Sequence, residues 1–279
     1  NVGKKPLVAT LMDVIPITHP EWTTSSFRSI KNYFWKRTAK WADKIITISE
    51  FSKIQISEKF RIPKDKIIVI PLGVAERWFK EIPESVIANV VTKYQLNKDF
   101  FLFIGTLQPR KNISRLIEAY LSLPDAIKNN RPLVIVGRAG WGCRDLVNKL
   151  SSNYFGSSVR WLEHLPEDDL LPLLKGANAL VYPTLYEGFG LPVLEAFASK
   201  VPVISSNTTS IPEVAGDAAL LTDPYDSSSI ALGMQKIIED PNLSSDLIKK
   251  GYLRALDYTW ERTARETLMV YHQLIMESP

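Results

Sequence analysis

The amino-acid sequence predicts an α/β fold with two doubly wound parallel domains, the first of them incomplete. Short runs of β-branched and aromatic residues, such as Lys44–Ile48 and Phe100–Ile104, alternate with stretches of helical periodicity. Residues 74–98 interrupt this alternation with prolines and scattered charges. Three strands are expected before the interruption and about six after it, so the chain should contain half of one such domain and the whole of another.

Each element follows from a local pattern. Phe27, Ile30 and Phe34 recur at helical spacing, and Ser49 is the expected N-cap of the next helix. The expected strands are 6–11, 44–48, 66–70, 100–104, 132–136, 158–162, 178–182, 201–205 and 219–222. The expected helices are 24–42, 50–60, 112–128, 143–151, 167–175, 191–199, 210–215, 226–239, 243–257 and 259–276. The expected domains are 1–74, a linker at 75–98, 99–258, and a final helix at 259–279 that crosses back to the first domain.

Composition bounds the class of protein. A hydrophobic content of 45% and a charged content of 23% in 279 residues fit a folded protein with one or two large cores. Cys143 is the single cysteine, which excludes an internal disulfide framework and fits a reducing compartment. No apolar run approaches the roughly 18 residues of a membrane span. Because the sequence begins without Met, we expect it to start within a longer protein.

Positive charge is concentrated in one region. The net charge is +4, but residues 28–66 hold eleven Lys and Arg against four Asp and Glu, a local excess of seven. Nucleic acid, an anionic membrane surface and a phosphorylated substrate are all partners that such a region would suit. A solvated helix face explains the same pattern, and the charge alone does not decide between these interpretations.

The stretch Tyr182–Ala198 holds two carboxylates eight residues apart, Glu187 and Glu195. A buried strand is expected before it, and two glycines between the carboxylates would let a ligand approach the backbone. Pro192 is expected to open a helix, with Glu195 in its first turn. Two glutamates that merely favour a helix N-terminus are the alternative. We favour a site for hydroxyl groups, because ligands of α/β domains collect at the carboxyl edge of the sheet.

The loop Gly105–Asn112 also joins a strand to a helix. Arg110 and Lys111 within it could hold a diphosphate, since Arg offers a planar fork and Lys a mobile charge. Asn112 is the expected N-cap of the helix. A solvated pair of cations is the alternative. We favour function, because this loop and the Glu187 turn both leave strand ends and could face one site.

Other patterns are less specific. Gly137–Gly142 has the spacing G-x-x-G-x-G, the reverse of the dinucleotide fingerprint, and is interpreted as a backbone wall beside a nucleotide. His164 follows a strand and is interpreted as a core or loop histidine. Three scattered histidines and one cysteine predict no metal site. Asp13 follows the first strand and either faces a cleft or caps a turn.

Taken in order, these stretches resemble the family-four retaining glycosyltransferases of the GT-B fold, over nearly all of the chain from Lys5. The resemblance rests on the E-x7-E pattern from Glu187 to Glu195 combined with the Arg110–Lys111 pair. The other matching motifs are Ala42–Glu50, Ile68–Gly73, Gly105–Asn112, Leu133–Gly137, Ser210–Gly216 and Trp260–Ala264.

The resemblance implies that a sugar moves from a nucleotide diphosphate donor to an acceptor hydroxyl, with retention of anomeric configuration and no covalent nucleophile. Arg110 and Lys111 would neutralise the leaving diphosphate, so neither a metal nor another cofactor is expected. Glu187 would hold sugar hydroxyls, Glu195 the ribose diol, and Asp13 is a further catalytic candidate. The other donor-binding residues would be Gly105, Thr106, Gly137, His164, Leu165, Gly188, Phe189, Gly190 and Leu191, with His164 and Leu165 at the base.

Two departures from the family leave alternatives open. Met12 stands where members often carry His, and about a hundred residues of the family's first, acceptor-binding domain have no counterpart here. A catalytically incomplete nucleotide-sugar-binding subunit that needs a second polypeptide is therefore the alternative function. A Rossmann oxidoreductase is a weaker one, against which the reversed glycine spacing argues.

The form Gly-Thr-Leu-x-Pro-Arg-Lys-Asn looks most like bacterial mannosyltransferases of surface polysaccharide synthesis. GDP-mannose is accordingly the expected donor, with a UDP-sugar next, and a saccharide or lipid-linked molecule the expected acceptor. Nucleic acid is not expected as a partner. The basic region at 28–66 would suit an anionic membrane surface, so we expect a cytoplasmic protein, peripheral on the cytoplasmic face of the inner membrane.

Overall fold

The computed structural model describes residues 5–22, 28–96 and 99–277, which divide into two compact units. Asn1–Gly73 together with Tyr258–Pro279 form the smaller unit, and Val74–Asp257 form the larger one. Phe27 and the rest of 24–27 lie outside the described residues, as do 97–98 of the expected linker and 278–279 of the final helix. None of the helices in the described part of the chain combines the length and apolar character needed to cross a membrane.

The smaller unit is a parallel sheet with helices on both faces. Its strands are β1 (Val8–Thr10), β2 (Lys44–Thr47) and β3 (Ile67–Val69), paired in that order among the described residues. Its helices are α1 (Ile15–Thr18), α2 (Arg28–Trp41), α3 (Glu50–Phe60) and, at the C-terminus, α13 (Trp260–Glu277). Ser49 caps α3 as predicted, because its hydroxyl accepts the Ser52 N–H at 3.0 Å.

Both faces of this sheet are buried, which explains why β2 is a continuous β-branched run. Ile45 packs with Phe60 on one face. Its neighbour Ile46 points to the other face, where it packs with Val270 and Leu274 of α13. The final helix therefore completes the core of the smaller unit.

Helix α2 turns its apolar stripe away from this core. Ile30 is 56% exposed and Phe34 is 60% exposed, so the two described residues whose spacing predicts the helix face solvent. Trp41 continues the stripe at 59% exposure, and the guanidinium of Arg37 lies 4.4 Å from the centre of its ring. The surface of α2 thus combines aromatic and cationic side chains.

The larger unit is a second parallel α/β layer structure. Its strands are β4 (Phe101–Ile104), β5 (Leu133–Val136), β6 (Val159–Leu162), β7 (Ala179–Tyr182), β8 (Val203–Ser206) and β9 (Leu220–Thr222). Its helices are α4 (Glu84–Lys93), α5 (Ile113–Leu121), α6 (Asp125–Lys128), α7 (Arg144–Ser151), α8 (Glu167–Lys175), α9 (Leu191–Ala198), α10 (Ile211–Ala215), α11 (Ser227–Glu239) and α12 (Pro241–Leu256). These elements confirm the predicted strands and most of the helices expected in this part of the chain, within a few residues at their ends. The helix expected at 112–128 is instead two helices, α5 and α6, because Pro124 lies between them.

The order of strands in the larger sheet indicates where the candidate site lies. In the described residues, the larger sheet runs β6-β5-β4-β7-β8-β9 with every neighbouring pair parallel. The direction of winding reverses between β4 and β7, and ligands of doubly wound sheets bind at such a switch point. The loops that leave the carboxyl ends of β4 and β7 are those that carry the Arg110–Lys111 pair and Glu187.

Residues 75–98, expected to form a linker, lie within the larger unit. They form a 3-10 helix at Glu76–Phe79 and the helix α4, which the broken rhythm of the sequence did not predict. Lys93 and Tyr94 at the end of α4 donate to Asp169 of α8 at 2.6 and 2.5 Å, which joins the two helices. The indole of Trp78 in the 3-10 helix is only 2% exposed.

Candidate active site

The two loops at the switch point are tied to each other by backbone contacts. After β4, residues Pro109–Lys111 form a 3-10 helix. The Leu185 N–H, in the loop after β7, donates to the Arg110 carbonyl at 2.8 Å. Asn112 lies at the start of α5 in the left-handed conformation, φ 60°, and its side chain makes no capping bond there. It donates instead to the carbonyls of Pro183 and Pro224, at 2.9 and 2.6 Å, so the predicted N-cap in fact joins three loops.

Glu187 is the centre of a buried charged cluster. Its Oε1 accepts from the Arg110 guanidinium at 2.9 Å, from the Lys111 ammonium at 2.7 Å and from the Tyr182 hydroxyl at 3.0 Å. The Lys111 ammonium also donates to the Tyr182 hydroxyl. The structure therefore brings the predicted pair of cations and the first predicted glutamate into direct contact.

Burial and the neighbouring charges act in opposite directions on the ionisable groups of this cluster. Glu187 and Lys111 are each 8% exposed. Burial would raise the pKa of Glu187, but the charges of Lys111 and Arg110, with hydrogen bonds from Lys111 and Tyr182, leave that pKa lowered. Burial lowers the pKa of Lys111, and the charge of Glu187 opposes this. The carboxylate thus holds two cationic groups in fixed positions at the end of the sheet.

Tyr182 was not among the predicted site residues. It is the last residue of β7, fully buried and stacked on Phe103 with ring centres 5.8 Å apart. Burial and the neighbouring Glu187 raise the pKa of its hydroxyl well above the ordinary value, so it remains a donor. The one signal in the sequence was its position, directly before the loop that carries Glu187.

A third loop fixes the turn around Glu187. The Ser210 hydroxyl, at the start of α10, donates to the carbonyls of Glu187 and Phe189, at 2.9 Å each. Gly190 has φ 116°, and a Cβ there would lie 2.7 Å from Ile211 Cδ1. The left-handed conformation therefore favours glycine at 190, and a larger residue would also have to displace the end of the Ile211 side chain.

The helix that follows begins at the predicted residue 191, but Pro192 does not open it. Because Gly190 serves as its left-handed N-cap, α9 begins at Leu191 and Pro192 is its second residue. Glu195 is consequently the fifth residue of α9. It lies beyond the first turn, whereas the sequence predicts it within the first turn. The two glutamates of the motif therefore occupy different surroundings.

Glu195 faces the 3-10 helix of the larger unit. Burial raises its pKa from 4.5 to about 6, while the charge of Arg77 and a hydrogen bond from Trp78 act in the opposite direction. The shift is opposite in sign to that of Glu187, because no cation touches Glu195 as closely as Lys111 touches Glu187. At neutral pH the Glu195 carboxyl is ionised and can accept hydrogen bonds.

Replacing Glu195 by Gln is expected to stabilise the fold at pH 8. A carboxyl with a raised folded pKa loses stability as pH rises from 4.5 through about 6. The difference in pKa corresponds to about 2 kcal/mol, which is an upper limit for the increase in the free energy of unfolding. Urea denaturation at pH 8 and pH 4.5 should show the gain at the higher pH alone. The exposed Glu163→Gln is the control, and an equal gain at both pH values would contradict the prediction.

The loop after β5 packs against the loop after β4. A Cβ at Gly137, φ 145°, would lie 2.1 Å from the Gly105 carbonyl oxygen, so only glycine permits this approach. The Gly137 carbonyl accepts from the indole of Trp161 at 2.9 Å. Contact between the loops thus accounts for this glycine without a ligand, and its predicted place beside a nucleotide stays a prediction.

The other predicted residues lie at strand ends. Thr106, after β4, and His164, after β6, are exposed, and Leu165 is half-buried. The structure does not join them to the Glu187 cluster by any hydrogen bond among the described residues. Asp13 belongs to the smaller unit, where its carboxylate accepts the Ile15 N–H at 3.0 Å, and its catalytic role stays a prediction. Gly188 and Phe189 are buried in the turn that Ser210 holds.

Chemically, this edge of the sheet can bind an anion and several hydroxyl groups. Arg110 and Lys111 supply positive charge beside the N-terminal end of α9, which favours negative charge as well. Ionised carboxylates at 187 and 195 supply acceptors. Within the described residues, no group of three or more His, Cys, Asp or Glu side chains is placed to hold a metal ion.

Comparison with known families divides the chain in two. Residues 89–254 match the family described as glycosyl transferases group 1, and residues 2–77 match glycosyltransferase family 4. The first match includes the Arg110–Lys111 pair and both glutamates.

Two of the relatives that the chain resembles are mannosyltransferases of Escherichia coli. The chain is 34% identical over 268 residues to O-antigen chain mannosyltransferase B of Escherichia coli, a match that covers 96% of this chain and 70% of that protein. It is 28% identical over 277 residues to the serotype-specific mannosyltransferase WbdA of Escherichia coli, covering 97% of this chain but 34% of that protein. The chain thus spans about one third of the length of WbdA.

Solved structures share the fold. Sucrose-phosphate synthase from Thermosynechococcus elongatus matches with a TM-score of 0.79 at 23% identity, over 97% of this chain and 68% of that one. Anabaena Alr3699/HepE in complex with UDP-glucose matches with a TM-score of 0.81 at 20% identity, over 96% of this chain and 72% of that one. These likenesses agree with the parallel α/β sheets of both units, as the GT-B fold requires. The chain therefore belongs to the group 1, family-four glycosyltransferases.

Proposed function

We propose that this protein is a retaining mannosyltransferase that moves mannose from GDP-mannose to a hydroxyl of a saccharide or lipid-linked acceptor, in polysaccharide or glycolipid synthesis. The observation that carries the proposal is the pair Arg110 and Lys111, held by buried Glu187 at the switch point of the sheet. The names of the Escherichia coli relatives support mannose as the sugar. The UDP-glucose complex of HepE makes a UDP-sugar the competing donor.

Arg110 and Lys111 would stabilise the leaving diphosphate. Charge develops on the diphosphate as the sugar–oxygen bond breaks, and cations already fixed in place stabilise it without reorganisation. Glu187 supplies this preorganisation, because it holds both cations within 2.9 Å of one oxygen. With this charge supplied by side chains, we propose that no metal or other cofactor is needed.

The two glutamates would bind hydroxyl groups of the donor. All three hydrogen bonds to Glu187 reach Oε1, so Oε2 can accept from the sugar. Glu195 would accept from the ribose diol, and the backbone of the turn from Gly188 to Leu191 would line the sugar and phosphates. Departure of the diphosphate and attack by the acceptor hydroxyl on the same face of the sugar would retain the anomeric configuration.

The remaining predicted residues would border the donor and acceptor. His164 and Leu165 would lie beside the base, at the carboxyl end of β6. Gly105, Thr106 and Gly137 follow β4 and β5 and would form the wall between the base and the diphosphate. Asp13 would act on the acceptor side.

A donor survey tests the proposed function. The purified protein is titrated by calorimetry with GDP, UDP and their hexose derivatives, and transfer is then followed with isolated saccharide and lipid-linked acceptors. We expect GDP-mannose to bind and to be consumed with the new bond in the anomeric configuration of the donor. Consumption of a UDP-sugar instead would overturn the donor assignment. Tight binding without transfer, restored by a second polypeptide, would overturn the enzyme assignment in favour of a nucleotide-sugar-binding subunit.

Helix α2 is the surface that we propose to contact an anionic membrane on its cytoplasmic face. Its exposed Phe34 and Trp41 could enter the headgroup region, while Arg37 and Lys40 attract anionic lipid. We expect the protein to sediment with vesicles that contain phosphatidylglycerol and to remain in solution with neutral vesicles. Replacing Phe34 and Trp41 by Ser should abolish sedimentation, whereas the same change at Tyr154, 70% exposed in the larger unit, should not. Equal binding by all variants would contradict this surface.

A further inference from the structure

The end of β8 and the loop that follows it contact the Glu187 turn through hydroxyl groups. The backbone of Tyr182–Phe189, which runs from the end of β7 into that turn, makes hydrogen bonds with four hydroxyl side chains, those of Ser205, Ser206, Thr209 and Ser210. The three serines are fully buried and donate to carbonyls. The hydroxyls of one chain segment therefore hold the backbone of the neighbouring one from the strand end to the turn.

Glu187 receives two of these contacts on its own backbone. Its N–H donates to Thr209 Oγ1 at 3.3 Å, and its carbonyl accepts from Ser210 Oγ at 2.9 Å. Consecutive residues of one loop thus hold both polar backbone groups of the glutamate whose carboxylate contacts Arg110 and Lys111. Because the side chain is attached to this backbone, a shift of the backbone moves the carboxylate relative to the two cations.

Thr209 makes its contact from an unfavourable conformation. Its φ is 59°, in the left-handed region, where side chains branched at Cβ are rare. Within the described part of the chain, the other non-glycine residues with positive φ are unbranched at Cβ: Arg61, Gln95, Asn112, Asn153 and Lys200. A conformation of this kind persists only where the surrounding structure imposes it, and such conformations cluster at functional sites.

We propose that Thr209 is a positioning residue for sugar transfer, which acts through the backbone of Glu187 to fix the carboxylate that holds Arg110 and Lys111. The inference rests on the proposed function and adds to it a residue that sets the geometry of the cationic pair. Stabilisation of the leaving diphosphate requires cations that are in place before the bond breaks. A small displacement of Glu187 should therefore slow bond cleavage more than it weakens donor binding.

Thr209 as an ordinary loop residue predicts a different result, because the rate of transfer would then follow the stability of each variant. Two substitutions separate the hydroxyl from the backbone conformation. Thr209→Val keeps the branched shape and loses the hydroxyl. Thr209→Gly also loses the hydroxyl, but glycine adopts a φ of 59° without steric conflict. We expect the Gly variant to unfold at a higher urea concentration than the Val variant, although both lack the acceptor for the Glu187 N–H.

Initial rates of nucleoside diphosphate release measure the effect on transfer. The donor is GDP-mannose, or UDP-glucose if the wild type consumes that instead, with the acceptor found in the donor survey. We expect Thr209→Val and Thr209→Gly both to reduce kcat roughly tenfold, as the loss of one hydrogen bond allows, with little change in the donor KM. Thr209→Ser keeps the oxygen and should retain most of the wild-type rate.

Thr208→Val is the matched control. Thr208 precedes Thr209 in the same loop, and its buried hydroxyl has no hydrogen-bond partner among the residues that the structure describes. Its removal should leave the rate of transfer unchanged. In the Glu187→Gln background, Thr209→Val should cause no further loss, because the carboxylate that Thr209 positions is absent.

Three results would overturn the inference. One is a Thr209→Val variant that folds and transfers sugar at the wild-type rate. The second is a Thr209→Gly variant that transfers at the wild-type rate, since activity would then follow stability rather than the hydroxyl. The third is an equal loss of activity in Thr208→Val. If Thr209→Val does not fold, the comparison of Thr209→Gly with Thr209→Ser decides. If the wild type consumes no nucleotide sugar, the proposed function itself fails, and this outcome is distinct from the other three.

Discussion

Replacing Lys111 by Met is expected to reduce sugar transfer about a thousandfold, in line with the loss of one fixed group that stabilises developing charge. The ammonium of Lys111 is buried and reaches both Glu187 and Tyr182, so water cannot readily substitute for it. Met keeps an unbranched side chain, one atom shorter than that of Lys, and removes the charge and the donors. The expected loss lies in the rate of bond cleavage, because Arg110 would still attract the diphosphate in the ground state.

Initial rates of transfer at saturating donor measure this effect. Lys149→Met is the matched control, because Lys149 is exposed on α7 and should retain full activity. Circular dichroism checks that both variants fold. A Lys111 variant that folds and transfers within tenfold of wild type would show that the ammonium does not stabilise the departing diphosphate.

Much of the fold could be predicted because parallel strands leave a strong local signal. Strands such as Leu133–Val136 are buried on both faces and therefore appear as uninterrupted apolar runs. Helix α4 was missed, although half-buried Ile87 and buried Val90 and Val91 stand at helical spacing, because Pro83 and nearby charges suggested a linker. A linker differs from a short helix that packs on a neighbouring helix in its tertiary contacts, and a local sequence pattern does not indicate those contacts.

The sequence could predict which loops form the candidate site, but not which side chains contact one another within it. Arg110, Lys111 and Glu187 follow two strands, so topology brings them to one edge of the sheet. Tyr182 contacts them because its ring lies on a particular face of the sheet at the end of its strand. The strand is apolar throughout, so its sequence has no alternation of polar and apolar residues that would indicate this face. The hydrogen bond between Ser199 of α9 and the Trp78 carbonyl joins distant parts of the sequence, so nothing at either position indicates it.

Replacing Glu187 by Gln is expected to destabilise the larger unit by about 3 kcal/mol, since it leaves two cations near a buried neutral group. The lowered pKa of Glu187 means that its contribution is present above pH 4.5 and is lost as pH falls through the folded value. Urea denaturation should therefore show the largest difference from wild type near neutral pH and a smaller one in acid. This pH dependence is opposite to that expected for Glu195→Gln, which makes the second glutamate of the motif an internal control.

Transfer by Glu187→Gln should fall along with stability, for two separable reasons. The amide binds a sugar hydroxyl less strongly than a carboxylate does, and it no longer fixes the two cations. Tyr182→Phe separates these effects, because it removes the two hydrogen bonds of the Tyr182 hydroxyl, one to Glu187 and one from Lys111, and leaves the charge of Glu187 in place. If fixing the cations matters most, Tyr182→Phe should lose part of the transfer rate while donor affinity changes little. If Glu187→Gln is as stable as wild type at neutral pH, the carboxylate does not hold the cluster together and the proposed preorganisation is wrong.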